Sequence, residues 1–364
     1  MNNIRRIRFF TGLVLFFLWI GCRQNGKEKV VSIVWDGNKA IQISVPRSLL
    51  DTVNEDSVDK QLHTYLTPGN GPAILGEYSI TPDAILFKPV IPFTRGLKYK
   101  IILGDELISE IQIPGVSAKD APQVVAIYPT GDTVPENLLK IYIQFSEPMQ
   151  EGESLQHIVL IKNDRDTAKS VFLDLEPELW NNERTVLTLW LDPGRIKRDL
   201  QPNKALGPPL LQGEKYNLII QPDWRDEEGA SLANSFQKQF VVGKRDGLSP
   251  DPNHWSMKLP KAGSAEKLEI DLHESLDYIL LNSALHIINK DGKEVTGTIK
   301  VNTGENGLSF TPTDSWKAGD YTLQIEFRLE DNAGNNLNRL FDQDLTQQKS
   351  DDSKTIFKRT FQLQ

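Results

Sequence analysis

The chain has 364 residues, with 41 basic and 49 acidic side chains and a formal charge of −8. So acidic a chain offers no phosphate-neutralising surface, which excludes nucleic acid as a partner on charge grounds. It has one cysteine, so no disulfide can form within it and the fold must rest on packing.

The first element in chain order is the segment 1–21. Arg5, Arg6 and Arg8 form a basic head, and Phe9 to Ile20 is apolar apart from Thr11 and Gly12. Such a run covers about 18 Å as a helix, against a hydrocarbon core of about 30 Å. It suits the core of a signal peptide better than a transmembrane helix. No Ala-x-Ala-like site follows; the run ends in Leu18-Trp19-Ile20-Gly21-Cys22. This segment resembles a bacterial lipoprotein signal, departing from it at Trp19, where that family usually has Leu. The resemblance implies cleavage before Cys22 and lipidation of Cys22, which anchors the protein to a membrane. One acyl chain holds a protein only marginally, and stable anchoring takes two or more; the bacterial modification supplies them. Arg23, rather than Asp, follows the cysteine, which points to the outer membrane. The leader takes three arginines and no acid with it, so the charge of −8 becomes −11. Residues 22–29 form a short tether.

Behind the tether, one pattern occurs three times. An alternating strand ends in proline, a polar loop with glycine follows, and a second alternating run begins at tyrosine. The copies are Ile85-Leu86-Phe87-Lys88-Pro89 with Gly96 and Tyr99, Leu189-Trp190-Leu191-Asp192-Pro193 with Gly213 and Tyr216, and Leu308-Ser309-Phe310-Thr311-Pro312 with Gly319 and Tyr321. Period-two alternation marks half-buried strands, and proline, which cannot donate a ladder hydrogen bond, closes them. A tyrosine opening a late strand fits either a good strand former or a tyrosine corner, whose hydroxyl bonds back to the chain. A further alternating strand opens each copy: Ile41 to Val45, Ile141 to Phe145 and Leu268 to Leu272. No stretch after the leader has a convincing helical period. The expected fold class is all-β, with three tandem Ig-like β-sandwich domains at 30–115, 123–242 and 254–364. Pro/Gly-rich linkers separate them at 113–122 and 243–253. Two insertions, 194–212 and 338–354, read as exposed loops.

The second copy carries the most recognisable residues. Val125-Ala126-Ile127-Tyr128-Pro129 and Gly131 lead to Phe145-Ser146-Glu147-Pro148-Met149, and Asp226-Glu227-Glu228-Gly229-Ala230-Ser231-Leu232 follows. This region resembles the bacterial Ig-like domain first described in S-layer proteins. The third copy keeps the turn, as Asp331-Asn332-Ala333-Gly334-Asn335-Asn336-Leu337, and has Leu272-His273-Glu274-Ser275-Leu276 where the family has Phe-Ser-Glu-Pro-Met. The first copy keeps neither motif. The resemblance implies a structural or spacer role, often in tandem on cell-surface proteins, and no catalytic residues.

Three chemistries compete with that role. Asp226 in one turn and Asp331, Asn332 and Asn335 in the other are candidate calcium ligands, since calcium takes six to eight oxygens. EF-hand spacing is absent, and tight turns select the same residues for their own hydrogen bonds, so no metal is expected. Trp224 and Trp180 lie in polar surroundings and are candidate glycan platforms, although tryptophans more often fill cores. Enzymatic activity has no support: there is no Gly-x-Ser-x-Gly, no His-Glu-x-x-His and no phosphate loop, and the five histidines are dispersed. The expected function is a membrane-anchored structural or protein-interaction module of the cell envelope. Its partners are membrane lipid through Cys22 and an unidentified envelope protein; the alternative is a glycan-binding surface lipoprotein. No cofactor is expected beyond the lipid on Cys22.

Overall fold

The computed structural model describes residues 30–37, 39–50, 53, 57–69, 71–116, 119–342 and 355–364. The leader, Cys22 and the tether lie outside the described residues, as do residues 343–354 of the second insertion. Among the described residues no helix is long and apolar enough to cross a membrane. The chain divides into two compact units.

The smaller unit is built on the first copy of the repeat. Its strands are β1 (Ser32–Asp36), β2 (Lys39–Pro46), β3 (Leu62–Thr67), β4 (Gly76–Ile80), β5 (Ala84–Pro89), β6 (Lys98–Leu103) and β7 (Glu106–Gln112), with one short helix, α1 (Val58–Gln61), before β3. They form a sheet in the order β1-β2-β5-β4 and a second in the order β3-β6-β7. Alternate residues are buried in each: Ile43, Val45, Ile85 and Phe87 in the first, and Leu62, Ile101 and Ile111 in the second. Each sheet thus has one apolar face to cover. The Tyr78 hydroxyl of β4 donates to the Leu62 carbonyl of β3, tying sheet to sheet.

The larger unit holds the other two copies. The second comprises β8 (Val124–Tyr128), β9 (Thr133–Val134), β10 (Lys140–Phe145), β11 (Ile158–Lys162), β12 (Asp166–Thr167), β13 (Val186–Trp190), β14 (Lys215–Ile220) and β15 (Phe236–Val242). Their sheets run β13-β10-β8 and β12-β11-β14-β15-β9. The third comprises β16 (Ser256–Lys258), β17 (Leu268–Asp271), β18 (Leu285–Asn289), β19 (Gly297–Val301), β20 (Gly307–Pro312), β21 (Gly319–Glu326) and β22 (Ile356–Leu363). Its sheets run β16-β17-β20-β19 and β18-β21-β22. Each pair of sheets closes on its own apolar core.

The repeated sequence patterns turn out to be partners. In all three copies the opening strand pairs antiparallel with the proline-terminated strand: Ile43 faces Phe87, Ile141 faces Leu189, and Leu268 faces Phe310. The tyrosine strand lies within the opposite sheet each time, as β6, β14 and β21. The protein is therefore all-β, a tandem array of three Ig-like sandwiches. Two of the tyrosines are corners. Tyr216 accepts a hydrogen bond from the Leu211 amide (3.2 Å). The Tyr321 hydroxyl donates to the Lys317 carbonyl (3.0 Å) and accepts from the Lys317 amide (3.1 Å).

One expectation is corrected. Residues 194–212 are not simply an exposed loop, because they include two short helices, α2 (Pro193–Ile196) and α3 (Gln201–Leu206). Asp192 caps α2 by accepting from the Gly194 amide, and Pro193 at the first helical position has no amide to leave unpaired. Ile196 and Leu210 are buried in the core of the second sandwich. Arg195 is buried too, donating to the carbonyls of Ser170 (2.6 Å), Gly207 (3.0 Å) and Pro208 (2.9 Å). An arginine so satisfied pins the insertion down, which its basic and proline-rich sequence concealed. A fourth short helix, α4 (Tyr278–Leu281), leads toward β18.

Candidate functional site

The motif that carries the family resemblance is a folding device. Asp226 accepts at Oδ1 from the amides of Glu228 (3.0 Å) and Ala230 (2.7 Å), and Gly229 supplies the left-handed conformation at φ +84°. Asp331 does the same for Ala333 (2.7 Å) and Asn335 (3.0 Å), with Gly334 at φ +79°. Asp226 bridges to Met149 and Asp331 to Leu276, the last residues of the two corresponding strand motifs. Met149 and Leu276 are wholly buried. Substitution of Phe-Ser-Glu-Pro-Met by Leu272 to Leu276 thus keeps the two apolar ends that the core requires.

The candidate calcium ligands are occupied by these bonds. The Asp331 oxygens take two amides and the Asn335 side chain (2.8 Å). The Asn332 carbonyl takes the Leu139 amide (2.9 Å). The structure brings Asp331, Asn332 and Asn335 together and leaves Asp226 in a separate turn of the second sandwich. Among the described residues no three His, Cys, Asp or Glu side chains are grouped to hold a metal.

Trp224 is not an exposed glycan platform. It is 1 % exposed, and its indole N–H donates to the Gln150 carbonyl (3.2 Å). Phe145 packs edge-on against it at 5.1 Å, Trp180 at 5.9 Å, and His157 stacks on it at 5.5 Å. Trp180 is partly buried against the same core, with its N–H held by Glu178 (2.7 Å). The polar neighbours of both residues in sequence belong to turns, while the indoles point into the sandwich. Those turns gave Trp224 the appearance of a surface residue.

The largest concentration of buried polar chemistry lies where the second sandwich meets the third. Glu305 sits in the left-handed region at φ +53° and is 1 % exposed. Its carboxylate accepts from the Thr130 amide at both oxygens (3.0 Å each) and from the Thr130 hydroxyl (2.6 Å). Thr130 Oγ1 in turn accepts from the Gly304 amide (2.7 Å). Lys238 donates to the Thr130 and Gly131 carbonyls (3.1 Å each). Burial raises the Glu305 carboxyl above the usual range against the pull of Thr130, and burial depresses the Lys238 ammonium.

On the same joint, the Tyr142 hydroxyl of β10 donates to Asp277 (2.6 Å), the residue that caps α4 through the Leu280 amide. Lys140 bonds Glu330 (2.7 Å) and lies 3.6 Å from Asp277. Burial, and after it the Asp277 charge, pushes the Tyr142 phenol up. Tyr128 stacks on Tyr278 with ring centroids 3.5 Å apart. The linker is pinned as well: the Asn137 side chain bonds both the amide and the carbonyl of Asp246 (2.8 Å each). Arg245 reaches Asp342 at 2.6 Å. Breaking one member of such a set leaves its partner buried and unpaired, at about 1–3 kcal/mol or more for a charge. The arrangement therefore fixes one orientation of the two sandwiches. Sequence reading did not single out Thr130, Tyr142, Asp277 or Glu305, since each is an ordinary polar residue until its partner more than a hundred residues away is known.

No protein-family model and no curated protein matches the chain. Among solved structures it is similar to the N-terminal part of the bacterial S-layer protein SbsC, at 12 % identity over 57 % of this chain and 40 % of that one, with a TM-score of 0.25. It is also similar to an α2-macroglobulin fragment of Escherichia coli spanning domains MG0-NIE-MG1, at 11 % identity over 81 % and 91 % of the two chains (TM-score 0.24). Invasin, a bacterial integrin-binding protein, aligns at 12 % identity over 82 % and 56 % (TM-score 0.22). The chain thus spans well under two thirds of the SbsC fragment. The strand order of the paired sheets, given above, is what makes the fold Ig-like.

Proposed function

We propose that the protein is a lipid-anchored component of the cell envelope whose tandem sandwiches act as a structural or protein-interaction module. The observation that supports the module reading is the joint between the second and third sandwiches. Its buried bonds between Thr130 and Glu305 and between Tyr142 and Asp277 resist bending, as a spacer or a presented binding surface requires. The anchor reading is supported by the basic head, short apolar run and Ile20-Gly21-Cys22 ending of the leader, with Arg23 favouring the outer membrane. Catalysis is not part of this reading. With Trp224 buried and Trp180 packed against it, no observation favours glycan binding.

The test is metabolic labelling with a palmitate analogue, followed by membrane fractionation. Wild type is expected to be labelled and to pellet with membranes, and Cys22→Ala to lose both properties. A Cys22→Ala variant that stays labelled and membrane-bound would overturn the anchor. The module is tested separately by small-angle scattering of an Asp277→Ala/Glu305→Gln double variant. Its distance distribution should broaden at the long end, and an unchanged distribution would show that the joint does not set the geometry.

A further inference from the structure

The joint holds more acid than its cations can neutralise. Asp277, Glu305, Glu330 and Asp331 of the third sandwich lie at it, with Asp246 on the linker. Lys140 is already shared between Glu330 and Asp277, Arg245 between Asp342 and Glu136, and Lys238 bonds two carbonyls while its charge acts on Glu305. Asp331 is 3 % exposed. Neutral groups donate to it: the Ala333 and Asn335 amides and the Asn335 side chain. The turn it organises touches the second sandwich directly. The Asn332 carbonyl accepts from the Leu139 amide at 2.9 Å, and Gly334 lies so close that an added Cβ would fall 2.3 Å from Leu139 Cδ2.

We propose that this joint is a proton-sensitive lock, closed when the Asp331 turn holds a proton and loosened when it loses that proton. Asp331 feels the charge of Asp246 from the linker, follows Glu330 in the chain, and lines one small cavity with Asp277 at the start of α4 and Lys140 from β10. Burial first, and the Asp246 charge in support, pushes the Asp331 carboxyl up to about 7. Exposed to water, it would titrate near 3.9. Between about pH 4 and pH 7 the closed joint therefore binds a proton that the open one does not. Closure must weaken by up to about tenfold per pH unit across that window and level off above it. The lock rests on the rigid-module reading and is independent of the lipid anchor.

Hydrogen exchange of the Leu139 amide in the full chain tests the lock, read as a protection factor so that the intrinsic pH dependence cancels. Protection should fall steeply from pH 5 to pH 7 in wild type, by about tenfold or more, and stay at its acid level in Asp331→Asn. Asp246→Asn, which removes a like charge, should move the fall to lower pH and keeps the test available if Asp331→Asn does not fold. High protection without a slope overturns the lock and leaves the rigid module standing. No protection at any pH overturns both. The same slope in Asp331→Asn assigns the titration elsewhere and overturns the proposal.

Discussion

The turns headed by Asp226 and Asp331 are two copies of one local design. Both close with an amide-to-carbonyl bond from the first residue to the fifth, 2.8 Å for Asp226 to Ala230 and 3.0 Å for Asp331 to Asn335. Both bridge to a buried apolar residue of the opening strand motif. They differ in what surrounds them. Asp226 keeps its bonds inside the second sandwich, and burial raises its carboxyl above the usual range. Asp331 gains a third donor from Asn335 and is pressed against Leu139 of the neighbouring sandwich. The same motif serves in both sandwiches, and what differs is the residue that covers its glycine, Thr94 for Gly229 and Leu139 for Gly334.

Substitutions can break this comparison in graded steps. The largest effect is expected for Trp224→Ala. Leu232, at the end of the Asp226 turn, bonds the Trp224 carbonyl (3.0 Å), and loss of the buried indole should cost about 3–5 kcal/mol, measured by urea unfolding. Gly334→Ala should come next. It combines the left-handed φ, which alone costs about 1–2 kcal/mol, with a Cβ 2.3 Å from Leu139 Cδ2, and should exceed Gly229→Ala, where the Cβ would fall 2.9 Å from Thr94 Cγ2; equal losses would mean that Leu139 confines its turn no more than Thr94 does. Asp277→Ala should cost about 1–3 kcal/mol by stranding the Tyr142 hydroxyl and removing the α4 cap, and the loss should shrink in a Tyr142→Phe background. The smallest effects are expected at the corners. Tyr216→Phe and Tyr321→Phe should each lower stability by about 1 kcal/mol, with Tyr321 the more sensitive because its hydroxyl makes two bonds to Lys317.

The pH dependence of stability should separate the two turns as well. The folded state holds the Asp331 proton to about pH 7 and the unfolded state releases it near 3.9. Stability gained at low pH through this group is therefore lost as pH rises between those values. Thermal melts of wild type against Asp331→Asn should diverge across this window, with the variant relatively more stable at its upper end. A pH-independent difference between them would mean that Asp331 is ionised in the fold throughout.

Much of the architecture was legible because it is local. Alternation in Ile41 to Val45, Ile141 to Phe145 and Leu268 to Leu272 marks strands with one buried face, and prolines 89 and 312 end theirs. The Asp-x-x-Gly turns were legible for the same reason, since a carboxylate, its amides and a glycine lie within five residues. What misled was also local. The polar residues around Trp224 describe its turn and not its indole, and the basic start of 194–212 gave no sign that Arg195 would be buried among carbonyls.

The sequence by itself therefore determined the strands, their grouping into three copies and the turns between them, because short-range periodicity and turn chemistry are written in neighbouring residues. Only the tertiary structure decided which polar residues meet. Thr130 and Glu305 are 175 positions apart, and Tyr142 and Asp277 135 apart. Neither pair has any local signature. Their burial depends on two finished sandwiches being brought together, and that is the step that turns ordinary surface carboxylates into a joint.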